Sequence, residues 1–125
     1  MAVQTPTFTK VRGVNGGIDG IRVAWGAAGD SDTFQAVSLP EWADKSIQAE
    51  GTFSSAHIKL LGSNDSTTGS DGNFEQLNDA FGNAIDISAA GIKQVTESTV
   101  WVKPSTGSGS GSSVTVTMFF RRVMR

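Results

Sequence analysis

Short segments in which apolar and polar residues alternate, separated by turns, constrain the fold of this chain most. Successive side chains of a strand point to opposite faces, so alternation over several residues predicts a strand with one buried face. The clearest case is Ser113–Arg121, where Val114, Val116, Met118 and Phe120 share one face. No 3.6-residue periodicity persists long enough to predict a major helix. The pattern therefore favours many short strands.

The middle of the chain predicts a hairpin with a long polar tip. Residues 56–61 alternate as a strand, and residues 62–73 are almost all Gly, Ser, Thr, Asn and Asp, which form turns. Residues 74–77 resume an apolar pattern, and Ile85 with Ile87 predicts a third short strand. The glycine- and serine-rich residues 105–113 are predicted to be a flexible hairpin loop, since too few residues follow them for another domain.

Together these segments predict an all-β fold, an antiparallel β-sandwich or jelly roll of about seven or eight strands. A chain of 125 residues has the usual length of one domain with one core. Residues 1–17 are polar and broken by proline and glycine, so they are predicted to form an extended N-terminal arm. Residues 18–125 are predicted to form the single sandwich domain.

Composition argues against several classes of protein. The formal net charge of −2 does not favour a nucleic-acid-binding protein, which needs a basic surface. The absence of cysteine excludes disulfides and thiolate metal sites, so the chain can fold in a reducing cytoplasm. The N-terminus lacks the pattern of a signal peptide, and no apolar stretch has the length of a membrane span. We expect neither a nucleic acid nor a membrane as partner.

The residues that could carry catalysis are few and scattered. The single histidine, His57, lies on a predicted strand. A half-exposed side chain is a simpler interpretation of it than a catalytic base. Asp65 and Asp71 lie in turns, where making the turn is the simplest role, and neither fits the spacing of an EF-hand loop. We therefore predict no catalytic, metal or cofactor residues and no enzyme activity. Trp42 differs from the other tryptophans because it lies in a loop.

Several sequence pieces occur in an order that resembles a family of small proteins of tailed bacteriophages. They are Leu39–Gln48, Gly51–Phe53, Leu61–Asp65, Asn83–Ala84, Ala89–Ile92, Lys103–Pro104 and Phe120–Arg122. The resemblance is to capsid cement or decoration proteins, which are β-sandwich or jelly-roll components of the virion without catalytic residues. This chain departs from the pattern by inserting Ser66–Ser70 after the Gly-Ser-Asn-Asp segment.

The resemblance implies a capsid decoration protein, made in the host cytoplasm, that binds the outer capsid surface of the virion. Its implied partners are the major capsid protein and further copies of itself, as a dimer or trimer. The predicted contact residues are Phe8 and Val11 in the arm, Trp42, and Arg121 and Arg122 in the basic terminus. Two alternatives remain open at this point. One is a neck or tail component, and the other is a glycan-binding module, since residues 62–77 are similar to the hairpin of discoidin-like and carbohydrate-binding sandwiches.

Overall fold

The computed structural model describes residues 2–12, 20–107 and 111–122 of the chain. Within those residues the backbone forms eleven strands and no helix. Seven strands have five or more residues, and four have two. The predicted all-β fold is confirmed, with more strands than the seven or eight expected. Two of the additional strands, at Val3–Gln4 and Pro6–Val11, lie in the N-terminal segment, for which the sequence predicted an extended arm and no strand of the sandwich.

The strand with the clearest alternation lies at the centre of the larger sheet. This strand, β11 (Ser113–Arg121), pairs with β3 (Gly20–Ala28) on one side and β5 (Asp44–Thr52) on the other. Beyond them, β2 (Pro6–Val11) pairs with β3, and β9 (Gly91–Val95) pairs with β5. All four pairings are antiparallel. The strand order is β2-β3-β11-β5-β9, so β2 and β9 form the two edges of this five-stranded sheet.

The smaller sheet is organised around β6 (Ile58–Ser63). This strand pairs with β10 (Trp101–Thr106) along one edge. Along its other edge, β6 pairs with β7 (Glu75–Gln76) and then with β8 (Asp86–Ile87). The hairpin and third strand predicted from the middle of the chain are therefore present. A separate parallel pair joins β1 (Val3–Gln4) to β4 (Thr33–Phe34).

The core lies between the two sheets, where their alternating side chains meet. Its fully buried members on the larger sheet are Val23, Trp25, Ile47, Ala49, Val114, Val116, Met118 and Phe120, and on the smaller sheet Ile58, Leu60 and Val102. Burying one large aliphatic or aromatic side chain contributes about 1.5–3 kcal/mol. Trp25 packs edge-on against Phe34 with 6.2 Å between ring centroids, and its indole N–H donates to the Gln35 carbonyl at 2.9 Å. The predicted antiparallel sandwich is thus confirmed.

Residues 105–113 do not join a hairpin. The strands on either side of this segment, β10 and β11, belong to different sheets. The chain therefore crosses from the smaller sheet to the larger one at this point, and residues 108–110 lie outside the described part. Alternation in the sequence predicts where the strands are, but it does not say which strands pair.

The described part of the N-terminal segment, residues 2–12, contains two strands and belongs to the folded body. β2 pairs with β3 over six residues, from Pro6 opposite Trp25 to Val11 opposite Gly20. Ala2 is also held, because its backbone N–H donates to the Asp32 carboxylate at 2.9 Å. The predicted boundary between arm and domain, at residue 17, lies in residues 13–19, outside the described residues.

Candidate partner-binding site

Three of the five predicted contact residues meet at one end of the sandwich. Arg121 ends β11 opposite Asp44, which begins β5, and the Arg121 Nη2 lies 3.7 Å from the Asp44 Oδ2. The Arg122 guanidinium carbon lies 4.8 Å from the centre of the Trp42 ring, and Arg122 Nη2 lies 3.8 Å from Glu41 Oε2. We call this group, Glu41, Trp42, Asp44, Arg121 and Arg122, the Trp42 corner.

The turn before β5 places the indole of Trp42 in this corner. The backbone N–H of Trp42 donates to the Leu39 carbonyl at 3.0 Å and closes the turn around Pro40. Trp42 is half-buried and packs against the edge of the core, so one side of its ring is fixed while Arg122 covers another. Arginine stacked on an aromatic ring is a common component of protein interfaces.

The other two predicted residues lie on the edge strand β2, away from the corner. Val11 shares a row of the sheet with Gly20, Arg121 and Asp44, so it lies two strands, or about 10 Å, from Arg121. Phe8 pairs with the buried Val23 but is itself 52% exposed. The sheet thus brings Val11 towards the corner, while Phe8 lies farther from it along the same edge strand.

A cleft of about 120 Å³ opens beside the Trp42 corner. Its walls are both apolar and polar. The apolar residues are Val37, Leu39, Pro40, Ala43, Val100, Val102 and Phe120, and the polar residues are Lys45, Asn64, Ser98 and Thr99. Lys45 is 6% exposed, and its ammonium donates to the Ala43 carbonyl at 3.0 Å. Burial lowers the pKa of Lys45 from its ordinary 10.5, and the carboxylates of Asp44 and Glu97 oppose part of that shift.

Lys45 was not predicted as a site residue, although the sequence contained a signal for it. Lys45 lies on the same face of β5 as Ile47 and Ala49, which are fully buried in the structure. A lysine in phase with two core residues is predicted to point inwards, and a buried lysine is costly without a partner. The alternation of β5 therefore contained the information.

Phe81 is an exposed aromatic residue that was not predicted from the sequence. It is 89% exposed at the tip of a turn that interrupts the apolar pattern. The buried Asp79 carboxylate fixes this turn by accepting hydrogen bonds from the backbone N–H groups of Phe81 and Asn83, at 2.9 and 3.0 Å. An aromatic residue between turn-forming residues was the sequence signal, because such a residue has no core position to fill.

The other polar residues considered in the sequence, His57, Asp65 and Asp71, make contacts inside the chain. His57 Nδ1 lies 2.6 Å from Asp86 Oδ1, and both side chains are nearly half exposed. Asp65 and Asp71 accept hydrogen bonds from their own loop, as expected of turn-making residues. The described residues contain no group of three or more His, Cys, Asp or Glu side chains that could hold a metal ion. Among the same residues, no helix is long and apolar enough to cross a membrane.

The chain has the fold of a known structure, but no comparison assigns it to a family. No protein-family model matches the chain, and no curated protein matches its sequence. The crystal structure of the SPBc2 prophage-derived protein YomS is similar with a TM-score of 0.60 and 12% identity, covering 81% of this chain and 93% of that one. The CBM22-1–GH10 modules of Clostridium thermocellum xylanase 10B, complexed with xylohexaose, give a TM-score of 0.43 and 12% identity over 96% of this chain and 25% of that one. That second value is too low to carry an argument, and the first shows a shared sandwich fold.

Proposed function

We propose that this chain is a structural protein of a bacteriophage virion that decorates the outer capsid surface and reinforces contacts between major capsid subunits. The observation that carries the proposal is the convergence of Trp42, Arg121 and Arg122 at one end of the sandwich. The fold it shares with a prophage-derived protein supports the phage part of the proposal. We propose a binding role without catalysis.

The Trp42 corner has the chemistry of a recognition surface. The ion pairs Arg121–Asp44 and Arg122–Glu41 are exposed and long, so each contributes little to folding. Both arginines can therefore exchange their present partners for carboxylates of another protein at low cost. The half-buried Trp42 supplies a fixed aromatic surface beside them, and Trp and Arg are enriched among the residues that dominate binding energy.

Stabilisation of a shell follows from mass action. A protein that binds the assembled lattice, and not the dissociated subunits, shifts the equilibrium towards assembly. Symmetry repeats each contact many times, so modest interfaces add up. Copies on neighbouring lattice sites would also contact one another, as a dimer or trimer about a symmetry axis.

The test is co-sedimentation of purified protein with capsids of the phage that carries this gene, after removal of the native copies. We expect saturable binding by the unmodified protein and a loss of about tenfold or more in affinity for Arg122→Glu, since reversing an interface charge adds repulsion. Lys93→Glu is the control, because Lys93 is an exposed cation of the edge strand β9, opposite Ile47 and therefore three residues along the sheet from Asp44 and two strands from β11. We expect Lys93→Glu to bind like the unmodified protein.

Two results would overturn the proposal. One is the absence of the protein from intact virions by quantitative mass spectrometry. The other is equal binding by Arg122→Glu and the unmodified chain, with both folded by circular dichroism. A copy number of about a dozen or fewer per virion would favour a neck or tail component, since capsid symmetry requires many more.

A further inference from the structure

The Lys45 ammonium is a buried charge with an incomplete set of partners. An ammonium has three N–H donors, and the described contacts supply one acceptor, the Ala43 carbonyl. None of the ion pairs among the described residues includes Lys45. Burying an ammonium is costly unless its donors and its charge are compensated. The cleft beside Lys45 is therefore a place where a compensating group can enter.

The two nearest carboxylates have other partners. The Glu97 carboxylate accepts two hydrogen bonds from Asn78, from the backbone N–H and from Nδ2, both at 2.7 Å. The Asp44 carboxylate faces Arg121 at 3.7 Å. These carboxylates lessen the electrostatic cost of Lys45 from a distance, but neither provides a hydrogen bond to it.

We propose that this cleft binds a carboxylate group, with the Lys45 ammonium as its counter-ion and hydrogen-bond donor. The second donor is Asn64, whose Oδ1 accepts from the Val100 backbone N–H at 3.1 Å, which leaves its Nδ2 without an acceptor among the described residues. Thr99 is not a donor, because its hydroxyl already donates to the Trp101 carbonyl at 2.8 Å. A site with free donors and no free carboxylate selects an anion.

The volume of the cleft and the residues that line it further restrict which carboxylates it can bind. The 120 Å³ volume is somewhat less than that of an engineered cavity of about 150 Å³ that accepts benzene. The space therefore suits a carboxylate on two or three carbon atoms, the size of propionate or of a glutamate side chain. Val37, Leu39 and Val100 would contact the carbon atoms, while Lys45 and Asn64 would contact the oxygens.

Binding of this kind depends on the protonation of Lys45. The carboxylate attracts the charged ammonium and not the neutral amine, so binding raises the pKa of Lys45. Asp44 and Glu97 are the charged groups that act on Lys45 from β5 and from the segment after β9. Affinity should stay constant at neutral pH and fall as the pH rises through the pKa of Lys45.

The experiment is an NMR titration of isotope-labelled protein, which requires no capsid and is therefore independent of the proposed function. The probes are sodium propionate and a blocked Gly-Glu-Gly peptide, and the neutral control is propionamide at matched ionic strength. The readouts are the amide shifts of Ala43 and Val100 and the pKa from the Lys45 side-chain carbon shifts. We expect saturable shifts with a Kd on the order of millimolar and a raised Lys45 pKa.

Variants separate the site from general salt effects. Lys45→Met keeps the length of the side chain and should weaken the response about tenfold or more, since it removes the counter-ion. Lys93→Met, at an exposed position of β9, should respond like the unmodified protein. A stronger response to the peptide than to propionate would identify a protein side chain as the source, and the reverse would identify a free carboxylate.

The proposal is overturned by an equal response to propionamide, by equal responses of the unmodified protein and a folded Lys45→Met, or by no response to either carboxylate. The Lys45 pKa is read from the unmodified protein, so it decides the matter even if Lys45→Met fails to fold. An unchanged pKa at saturating propionate would rule out Lys45 as the counter-ion.

Discussion

The polar loop between β6 and β7 and the cleft beside Lys45 differ in how their polar groups are hydrogen-bonded. In the loop, Asp71 accepts hydrogen bonds from the hydroxyl and backbone groups of Thr67 and Thr68 and from the Ser66 hydroxyl. In the cleft, the Lys45 ammonium has one acceptor. The loop satisfies its polar groups internally, whereas the cleft leaves donors for something outside the chain. That difference separates a scaffold from a candidate site.

The Asp71 loop, residues 63–73, is also packed onto the body of the protein. Ser66 is buried, and its hydroxyl accepts a hydrogen bond from the Gly69 backbone N–H at 2.9 Å. Gly69 has a positive φ of 87° and lies against the ring of Trp101. The insertion at Ser66–Ser70 therefore forms an ordered cover over Trp101.

The largest expected loss of stability comes from Gly69→Ala, which disrupts the packing of the loop on Trp101. A Cβ at this position would lie 2.8 Å from a Trp101 ring carbon, in a backbone conformation that disfavours side chains. Strain and overpacking together should lower the free energy of unfolding by about 2–4 kcal/mol. Urea denaturation measures the change.

Gly82→Ala provides a matched control for the Gly69 variant. Gly82 has a similar φ of 82°, but a Cβ there would meet nothing within 4 Å. Its cost should be the backbone strain alone, about 1 kcal/mol. Equal losses for the two variants would show that contact between the loop and Trp101 does not matter for stability.

Alternation in the sequence was enough to predict the strands that build the core. β11 and β6 follow from residues whose apolar positions repeat every second residue. Pairing was harder to predict, because β10 and β11 are adjacent in sequence and lie in different sheets. Partner choice depends on how whole faces pack, and no local pattern contains that information.

The candidate site was only partly predictable. Trp42 and Arg122 were selected from the sequence separately, and the structure shows that they stack. Their meeting depends on the pairing of β11 with β5, which the sequence does not reveal. The cleft was missed because it forms where the segment after β9 meets the turn before β5. These parts of the site are separated by about half of the chain.

A smaller effect, in acid, should distinguish the Asp71 loop from the cleft. Hydrogen bonds, first that of the Thr67 hydroxyl, hold the pKa of Asp71 well below its ordinary 3.8. As the pH falls below about 4, Asp71 is therefore protonated in the unfolded chain before it is protonated in the folded one. The stability that the ionised Asp71 adds is present above that pH and is lost below it. Asp71→Asn should lower stability at neutral pH and make the acid dependence shallower, as measured by urea denaturation between about pH 7 and about pH 3.

A variant that keeps the carboxylate sharpens the acid prediction. Thr67→Val removes the main hydroxyl donor to Asp71 and should raise the pKa of Asp71 towards 3.8. We expect an acid dependence between those of the unmodified protein and Asp71→Asn. If stability fell with pH in acid by the same amount in all three proteins, the acid dependence could not be assigned to the Asp71 loop.

The smallest effect should appear in alkali, where the cleft and not the loop responds. Burial lowers the pKa of folded Lys45 below 10.5, so between those two values the unfolded chain holds a proton that the folded chain has lost. Stability should therefore rise with pH across that window. Lys45→Met removes the buried charge, so it should flatten this rise and increase stability at neutral pH by up to about 1 kcal/mol. Urea denaturation between about pH 7 and about pH 10 tests both expectations.

The alkaline prediction depends on burial of the charge and not on the number of lysines. Lys93→Met removes an exposed ammonium from the neighbouring strand β9, so it should keep the rise in stability with pH. If Lys45→Met kept the same rise, the ammonium would already be fully compensated in the free protein. The cleft would then resemble the Asp71 loop, with no unsatisfied donor for an incoming carboxylate, and the difference between the two regions would disappear.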